Sequence, residues 1–207
     1  MNERRYREKA RTWYGDRFYR NRVRTHRPRQ IQLGKILFAH LRPRRVVDLG
    51  CGIGSYLEAA LACGAEEVLG LEYSYQIVAP YVPQSVASYV RPGDGGRPID
   101  RDLHGRFDCA ISFEVAEHLP PEASPIFVKN LTSLSTAIVV LTAAPPGQLG
   151  IGHINLRPKA FWVDLLRDTG WSIDDTTTQD ISRRWRKAPG RPRFRYLARN
   201  LMIFRPS

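Results

Sequence analysis

The sequence predicts an α/β fold in which a mostly parallel sheet is covered by helices on both faces. Apolar stretches of strand length alternate along the chain with stretches whose apolar residues repeat at helical spacing, and this order is typical of a parallel sheet. The strand segments are continuous apolar runs, as expected for strands that are buried on both sides. Apolar residues make up 43% of the chain, which is enough for a full core.

Local patterns predict the elements of the first half of the chain. Residues 1–26 are polar and rich in arginine and aromatic side chains, and they predict a leader helix. A helical stripe over residues 31–41 stops before Pro43, because proline disfavours helix at the residue before it. A loop rich in glycine, proline and aspartate follows over residues 92–105. The other elements predicted here are strands at 46–49, 68–73 and 85–90 and helices at 53–61 and 74–81.

The second half continues the alternation. A strand is predicted at 107–113, and residues 114–134 are predicted to be mostly helical, with an interruption at Pro120 and Pro121. A helical face over residues 161–169 ends at Gly170, a residue suited to a helix C-terminus. The remaining strands are predicted at 137–142, 171–178 and 197–204.

Charge is distributed unevenly. The 32 lysine and arginine residues exceed the 20 acidic residues, and residues 1–45 and 183–207 carry net charges of +12 and +9 around a middle of −9. Interleaved arginine and aromatic residues can bind single-stranded nucleic acid, and the other interpretation is a basic surface that packs on the acidic middle of the chain. The aromatic residues are Trp13, Tyr14, Phe18 and Tyr19 among Arg11, Arg17, Arg20, Arg22 and Arg24, and Trp185, Phe194 and Tyr196 among Arg183, Arg184, Arg186, Arg191, Arg193 and Arg195.

Composition also excludes several classes of protein. No apolar run approaches the roughly 20 residues that span a bilayer, and the N-terminus lacks the apolar core of a secretion signal. The cysteines, Cys51, Cys63 and Cys109, lie in apolar segments and form no CxxC pair, which is typical of small core residues in a reducing compartment. We therefore expect a cytoplasmic protein that makes no membrane contact.

A glycine-rich turn is the most informative motif. Residues 47–54 read VDLGCGIG, so that Gly50, Gly52 and Gly54 join a predicted strand to a predicted helix. The spacing differs from the GxGxxG of dinucleotide-binding proteins, and the lysine of a phosphate-binding P-loop is missing. Asp48, two residues before the first glycine, suits a ligand that carries an ammonium group better than one that carries a pyrophosphate.

Glu72 ends the second predicted strand. An acidic residue at this position can accept hydrogen bonds from both hydroxyls of a ribose. The expected ligand therefore contains a ribose and a positive charge, and S-adenosylmethionine has both.

These residues carry a family resemblance. The segment 47–54, with Glu72, resembles the first two motifs of the class I S-adenosylmethionine-dependent methyltransferases of the type 11 and type 23 domains. Residues 107–119, FDCAISFEVAEHL, resemble the fourth-strand motif of that family, often FDxxxxxEVxEHL. The resemblance implies a doubly wound, Rossmann-like sheet of seven strands with an antiparallel last strand at 196–205, in three layers α/β/α. The predicted domains are a basic N-terminal extension with a helix at 1–39 and a methyltransferase domain at 40–207.

The resemblance also implies a cofactor site at the carboxyl ends of the strands. It implies that Asp94, in the loop after the third strand, holds the adenine amino group, and the alternative for Asp94 is a turn-forming role. The residues predicted to bind S-adenosylmethionine are Asp48, Gly50, Cys51, Gly52, Gly54, Glu72, Tyr73, Asp94 and Phe113.

A second group of residues is a candidate for chemistry. Glu114, Glu117 and His118 share one face if their segment is helical, and His153 follows the fifth strand, whose end should neighbour the fourth. These four residues can hold magnesium, manganese or zinc. A similar ExxEH with a later histidine occurs in the plant-type small-RNA 2′-O-methyltransferases and the ubiquinone-pathway O-methyltransferases. The alternatives are His118 or His153 as a metal-free general base, or purely structural roles.

Three functions are compatible with this sequence. The first is methyl transfer from S-adenosylmethionine to a hydroxyl of a small molecule or glycan. The second is 2′-O-methylation of RNA at a metal-assisted ExxEH site, with RNA contacts through the basic termini. The third is a non-catalytic module that binds the cofactor or nucleic acid. The intact glycine turn and Glu72 favour an enzyme, and the fold by itself does not identify the acceptor.

Overall fold

The computed structural model of the chain describes residues 15–189 and 194–207. Within them, one seven-stranded sheet is formed by β1 (Arg45–Leu49), β2 (Glu67–Glu72), β3 (Val90–Pro92), β4 (Phe107–Phe113), β5 (Ser135–Thr142), β6 (Trp171–Ile173) and β7 (Met202–Pro206). The strand order is β3-β2-β1-β4-β5-β7-β6. Strands β1 to β5 are parallel, and β7 is antiparallel to β5 and to β6. The predicted α/β class and the antiparallel last strand are confirmed.

Helices cover both faces of the sheet. They are α1 (Asp16–Asn21), α2 (Arg27–Leu41), α3 (Ser55–Ala62), α4 (Tyr75–Val78), α5 (Ser124–Leu134), α6 (Lys159–Arg167), α7 (Asp175–Lys187) and α8 (Arg195–Asn200), with a π-helical segment at Arg22–His26 between α1 and α2. None of the helices in residues 15–189 and 194–207 combines the length and the apolar character that crossing a bilayer requires.

The two largest apolar clusters in the described part of the chain lie one on each side of the sheet. Residues of α2, α3, α7 and α8 pack on one face, where Leu37 and Trp185 are buried. Residues of α5 and α6 pack on the other face, where Phe127 and Trp162 are buried. Successive residues of one strand point to opposite faces of the sheet. In β1, Val46 belongs to the first cluster and Val47 to the second. This double burial explains why the strands are continuous apolar runs.

The prediction of the third strand was wrong in position. A strand was predicted at 85–90, whereas β3 comprises Val90–Pro92 and is preceded by a short 3-10 turn at Ala87–Tyr89. Val86 is fully buried against the glycine turn. Its Cγ2 atom lies so close to Gly54 that a Cβ atom on that glycine would be 3.0 Å away. The apolar side chain thus packs on the glycine turn and does not pair in the sheet.

The two late strands were predicted too long. β6 ends at Ile173, and α7 then begins at a cap in which the Asp174 carboxylate accepts a hydrogen bond of 3.0 Å from the Thr177 amide. The strand predicted at 197–204 is divided between α8 and β7. The run of threonines at 176–178, which favours strands, sits here in a capped helix.

The segment after β4 is not a helix in its first ten residues. Glu114 has a φ of +55°, and only short 3-10 turns occur before α5 begins at Ser124. The shared helical face that was predicted for Glu114, Glu117 and His118 is therefore absent.

The N-terminal region joins the same core. Leu33, Leu37 and Phe38 of α2 are buried with residues of α3, and a Cβ atom on Gly34 would lie 2.6 Å from the Ala59 Cβ atom. Tyr19 of α1 packs with Ile53, which belongs to the glycine turn. The division of the chain at residue 40 stays a prediction, and α1 and α2 both lie against the region that follows it.

Candidate active site

A cavity of about 680 Å³ opens at the carboxyl ends of β1, β2 and β4. Its floor contains the glycine turn after β1, and Phe18, Tyr19 and Arg22 from the N-terminal region form part of its wall. Ligands of open α/β sheets bind at this end of the strands. Of the residues predicted to bind the cofactor, all but Gly54 line the cavity.

The glycine turn is shaped by left-handed backbone angles. Gly50, Gly52 and Gly54 have φ values of +87°, +55° and +74°. A Cβ atom on Gly50 would overlap the Val115 side chain, whereas a Cβ atom on Gly52 would meet no atom within 4 Å. Gly50 is thus required for packing, and Gly52 leaves open space in the cavity that a ligand can fill.

Asp48 is a buried carboxylate at the base of the turn. It is 1% exposed, and its Oδ2 atom has no hydrogen-bond partner among the described residues. Burial, with a smaller contribution from the charge of Glu72, raises the pKa of Asp48 well above its usual value. A cationic group in the cavity would offset both effects.

Glu72 is held in place by the backbone. Its Oε2 atom accepts a hydrogen bond of 2.8 Å from the Gly52 amide, and its Oε1 atom accepts one of 2.8 Å from the Ser74 amide. Burial raises the pKa of Glu72 in spite of these two bonds. Each oxygen retains a second lone pair, so the carboxylate can still accept from two further donors.

The remaining predicted cofactor residues lie around the cavity wall. The Asp94 Oδ1 atom accepts a hydrogen bond of 3.0 Å from the Gly96 amide, which is a local turn contact. The Phe113 ring packs on Tyr56 with ring centroids 4.2 Å apart, and Tyr73 is partly exposed at the rim. Cys51 is buried beneath the turn.

Tyr56 was not among the predicted site residues, and Arg22 was predicted only as a nucleic-acid contact, but both line the cavity. The Arg22 guanidinium lies over the Phe18 ring, 4.7 Å from its centroid, and the buried Tyr56 hydroxyl has no hydrogen-bond partner among the described residues. Burial raises the pKa of Tyr56, and Tyr196 and Asp48 add to the rise. Arg22 opposes it. Arg22 lies in the arginine-rich stretch that predicted nucleic-acid contact, and Tyr56 lies on an apolar helical face that predicted only a core position.

The structure brings three of the four predicted metal ligands together. Glu117, His118 and His153 each offer one ligand atom, and these atoms lie within 4.8 Å of one another. Glu117 is fully buried, and neither of its carboxylate oxygens has a hydrogen-bond partner in the described part of the chain. Burial, followed by the charge of Glu114, raises the pKa of Glu117 well above its usual value.

Backbone carbonyls determine the tautomers of both histidines. The Nδ1 atom of His118 lies 3.2 Å from the Gly152 oxygen, and the Nδ1 atom of His153 lies 3.0 Å from the Gln148 oxygen. A carbonyl only accepts, so each Nδ1 atom donates, and in the neutral form of each ring the lone pair lies on Nε2. Burial, followed by the proximity of His153, lowers the pKa of His118 to about 4, so this ring is neutral at pH 7. Metal-binding histidines commonly donate their other nitrogen to a carbonyl in this way.

The loop that carries His153 is fastened to the turn that carries Glu117. The Glu117 carbonyl accepts hydrogen bonds from the amides of Ile154 and Asn155, at 2.9 and 3.0 Å. The buried Asn155 side chain donates to the Ser124 hydroxyl at 2.9 Å. These contacts explain how residues from two separate loops meet.

Glu114 is directed to a different set of partners. Its Oε2 atom accepts from the Gln148 amide group at 2.8 Å, and its Oε1 atom accepts from the Asn200 amide group at 3.0 Å. Gln148 in turn accepts from Arg199 at 2.8 Å. Glu114 therefore ties the His153 loop to α8 and does not join the cluster of Glu117, His118 and His153.

The aromatic residues predicted to stack on RNA have varied positions. Trp185 and Phe194 are buried, and the Trp185 indole donates a hydrogen bond of 2.9 Å to the Leu33 carbonyl. Phe18, Tyr19 and Tyr196 line the cavity. Outside the described residues lie Arg11, Trp13, Tyr14, Arg191 and Arg193.

Comparisons with known proteins agree with this geometry. A family model described as "Methyltransferase domain" matches residues 16–176. No curated protein sequence matches the chain.

Solved structures share the fold. Magnesium protoporphyrin IX methyltransferase (ChlM) from Synechocystis PCC 6803, solved with bound S-adenosylmethionine, is 22% identical over 88% of this chain and 80% of its own, with a TM-score of 0.61. The methyltransferase domain of bacterial CtHen1 is 22% identical over 70% of this chain and 87% of its own, with a TM-score of 0.51. Mitomycin 7-O-methyltransferase MmcR is 15% identical over 86% of this chain and 54% of its own, with a TM-score of 0.54.

Proposed function

The chain belongs to the methyltransferase domain family, and we propose that it transfers the methyl group of S-adenosylmethionine to a hydroxyl of a small acceptor, at a divalent cation held by Glu117, His118 and His153. The observation that carries the proposal is the convergence of three ligand atoms within 4.8 Å, with two of the three side chains lining the cofactor cavity. S-adenosylmethionine supplies a methyl group that its sulfonium already activates, so the protein mainly aligns the reactants and promotes loss of the acceptor proton.

Charged groups of the cavity fit the amino-acid end of S-adenosylmethionine. The unpartnered Oδ2 atom of Asp48 suits the ammonium group, and Arg22 on the cavity wall suits the carboxylate. The remaining lone pairs of Glu72 suit the two ribose hydroxyls, and the open space beside Gly52 admits the ligand close to the backbone. This set recognises a zwitterion joined to a ribose, which supports S-adenosylmethionine as the cofactor.

The reaction is an in-line displacement at carbon. The acceptor oxygen forms a bond to the methyl carbon while the carbon–sulfur bond breaks, and the electron pair stays on sulfur as S-adenosylhomocysteine leaves. The hydroxyl proton passes to solvent. A divalent cation, when bound, lowers the pKa of a hydroxyl that approaches it.

The cluster of Glu117, His118 and His153 fits such a cation. Neither oxygen of the buried Glu117 carboxylate has a hydrogen-bond partner among the described residues, and both histidines offer a ring nitrogen beside it. Mixed oxygen and nitrogen ligands are compatible with magnesium, manganese and zinc. The carbonyls of Gln148 and Gly152 orient the two rings toward this role.

The 2′-hydroxyl of RNA is a second candidate acceptor. Arg17, Arg24 and Lys187 are exposed side chains of the two basic ends of the chain, and they support contact with phosphates. If RNA binds through them, its affinity should fall steeply with salt, because each neutralised phosphate releases counterions. If the affinity for RNA changes by less than about twofold between about 50 and 200 mM salt, RNA is excluded as the acceptor.

Binding of Mn²⁺ tests the cation site without an acceptor. Titration of the full chain with Mn²⁺, followed by electron paramagnetic resonance in saturating S-adenosylhomocysteine, should show one bound ion per chain. His153→Ala should weaken this binding more than about tenfold. His104→Ala is the matched control, because His104 is exposed and far from the cluster in sequence. Equal Mn²⁺ binding by both variants, or none by the wild type, would contradict the metal site and leave a metal-free histidine base.

A further inference from the structure

Exposed apolar side chains are concentrated at the mouth of the cavity. In the described part of the chain, the large apolar residues with exposed side chains are Tyr73, Tyr89, Ile126, Leu149 and Ile151. All of them except Tyr89 line the cavity. Leu149 is 97% exposed and Ile151 is 57% exposed, and both lie on the loop that carries His153. Large apolar side chains gathered in one exposed place usually mark a binding surface.

The loop geometry explains why these side chains face outward. Gly150 lies between Leu149 and Ile151, and a Cβ atom on Gly150 would overlap the His153 ring. The ring therefore occupies the inner side of the loop and leaves no room there for a neighbouring side chain. Gly147 and Gly152, with φ values of +85° and +76°, turn the chain on either side. The arrangement that positions His153 thus presents Leu149 and Ile151 at the mouth.

Further apolar residues line the same cavity. Ile126 of α5 is exposed there, and Leu119 and Pro120 also line it. His118 and His153 line the same cavity. The cavity therefore combines exposed apolar side chains with two histidines.

From this arrangement we infer that the acceptor carries its reacting hydroxyl on an apolar body, as an alkyl-substituted alcohol or phenol does. Its apolar part packs between Leu149, Ile151 and Ile126 while its hydroxyl reaches the histidines. The inference rests on the proposed function, and it narrows the acceptor from any small hydroxyl compound to a lipophilic one.

The charges of the cavity disfavour the other acceptors. Its lining contains five carboxylate side chains and two arginines, namely Asp48, Glu72, Asp94, Glu114 and Glu122 with Arg22 and Arg97. Asp48 and Glu72 lie at the proposed cofactor end, and Asp94 pairs with Arg97. The carboxylates of Glu114 and Glu122 would repel a phosphate-rich strand. A glycan would leave hydroxyl groups against apolar walls, where they lose their hydrogen bonds to water.

A series of 4-alkylphenols, from methyl to hexyl, tests the inference. Their binding to the full chain saturated with S-adenosylhomocysteine would be measured by calorimetry. Burial of each added methylene should tighten binding about fourfold until the mouth is filled. The double variant Leu149→Ser with Ile151→Ser should reduce this gain to less than about twofold per methylene. Tyr89→Ser, the exposed apolar residue outside the cavity, should leave the gain unchanged.

The outcomes distinguish failure of the lipophilic acceptor from failure of the proposed methyl transfer. Affinity that does not depend on alkyl length, an equal gain in the double variant, or tighter binding of an RNA oligonucleotide or methyl glucoside would overturn the lipophilic acceptor. In each of these cases S-adenosylhomocysteine still binds, and the proposed methyl transfer stands. Failure of S-adenosylhomocysteine itself to bind would overturn the proposed function.

Discussion

The Nε2 atom of His153 lies 3.9 Å from the Oε1 atom of Glu117, and the two residues belong to loops that follow different strands. The contact depends on the backbone, because the Glu117 carbonyl accepts from both residues that follow His153. It brings an imidazole to a buried carboxylate that has no hydrogen bond in the described part of the chain. A buried, charged carboxylate lowers the stability of the folded protein unless a cation or a proton neutralises it. The cluster is therefore a candidate functional site.

Gly52→Val should abolish cofactor binding. The branched side chain would enter the space where the ligand approaches the turn, and we expect S-adenosylhomocysteine affinity to fall by at least about 100-fold. Gly64→Val is the matched control, since Gly64 also has a positive φ, of +94°, with no atom within 4 Å of a Cβ atom. It should carry a similar backbone strain and keep its affinity. Calorimetric titration of both variants measures this, and equal losses would show that strain alone is responsible.

Asp48→Asn should stabilise the protein without ligand and weaken the cofactor complex. The raised pKa of Asp48 means that the folded state holds a proton more tightly than the unfolded state. The stability that this proton gives is complete below the unfolded pKa and is lost as pH rises through the folded pKa. At pH 7 the asparagine should therefore raise the free energy of unfolding by about 1–3 kcal/mol, while S-adenosylhomocysteine affinity falls about 10- to 100-fold.

Denaturant unfolding at pH 4 and pH 7 measures the first effect, and the gain should shrink at the lower pH. A variant that is less stable than the wild type at pH 7 would show that the Asp48 carboxylate has a stabilising partner.

Arg22→Gln should weaken binding of S-adenosylhomocysteine by about 1.5–3 kcal/mol, the contribution of a hydrogen bond to a charged group. The same variant should bind 5′-methylthioadenosine as the wild type does, because that nucleoside lacks the amino-acid carboxylate. Arg24→Gln, at an exposed position two residues later, is the control. Parallel calorimetry with both ligands checks the assignment, which fails if Arg22→Gln weakens both ligands equally.

The sequence was most informative where one local motif determines both the backbone and the position of a neighbouring side chain. The glycine turn needs three positive φ values, and the Glu72 carboxylate binds the turn through the Gly52 amide, so spacing alone predicted their proximity. Helix α7 was missed because its cap at Asp174 competes with a run of β-branched threonines, and the cap prevails in the folded chain.

The cluster of Glu117, His118 and His153 was predicted for a reason that was partly wrong. The helical face was absent, since Glu114 adopts a left-handed conformation and its amide bonds to Thr142 of β5. The topology brought Glu117 and His153 together because β4 and β5 are neighbours. No local pattern marks the hydrogen bonds from Gln148 and Asn200 that hold Glu114 elsewhere, since these partners are distant in sequence.

Glu114 and Glu117 should differ in their effects on metal affinity. Glu117→Gln removes a ligand and should lower Mn²⁺ affinity more than about tenfold, whereas Glu114→Gln should change it less than about twofold. Glu114→Gln also replaces an acceptor of Gln148 or Asn200 by a donor, so it should loosen the His153 loop. Paramagnetic resonance titration of both variants tests the three-ligand site. Equal losses would restore Glu114 as a fourth ligand.

Transfer of a labelled methyl group tests the central claim most directly. The full chain, freed of metal with a chelator, would be incubated with tritium-labelled S-adenosylmethionine and 4-alkylphenols, with and without Mn²⁺. The account predicts a labelled aryl methyl ether only when Mn²⁺ is restored, and a loss of rate of at least about 100-fold in Glu117→Gln with cofactor affinity unchanged. Full activity in the presence of the chelator, or in Glu117→Gln, would contradict it.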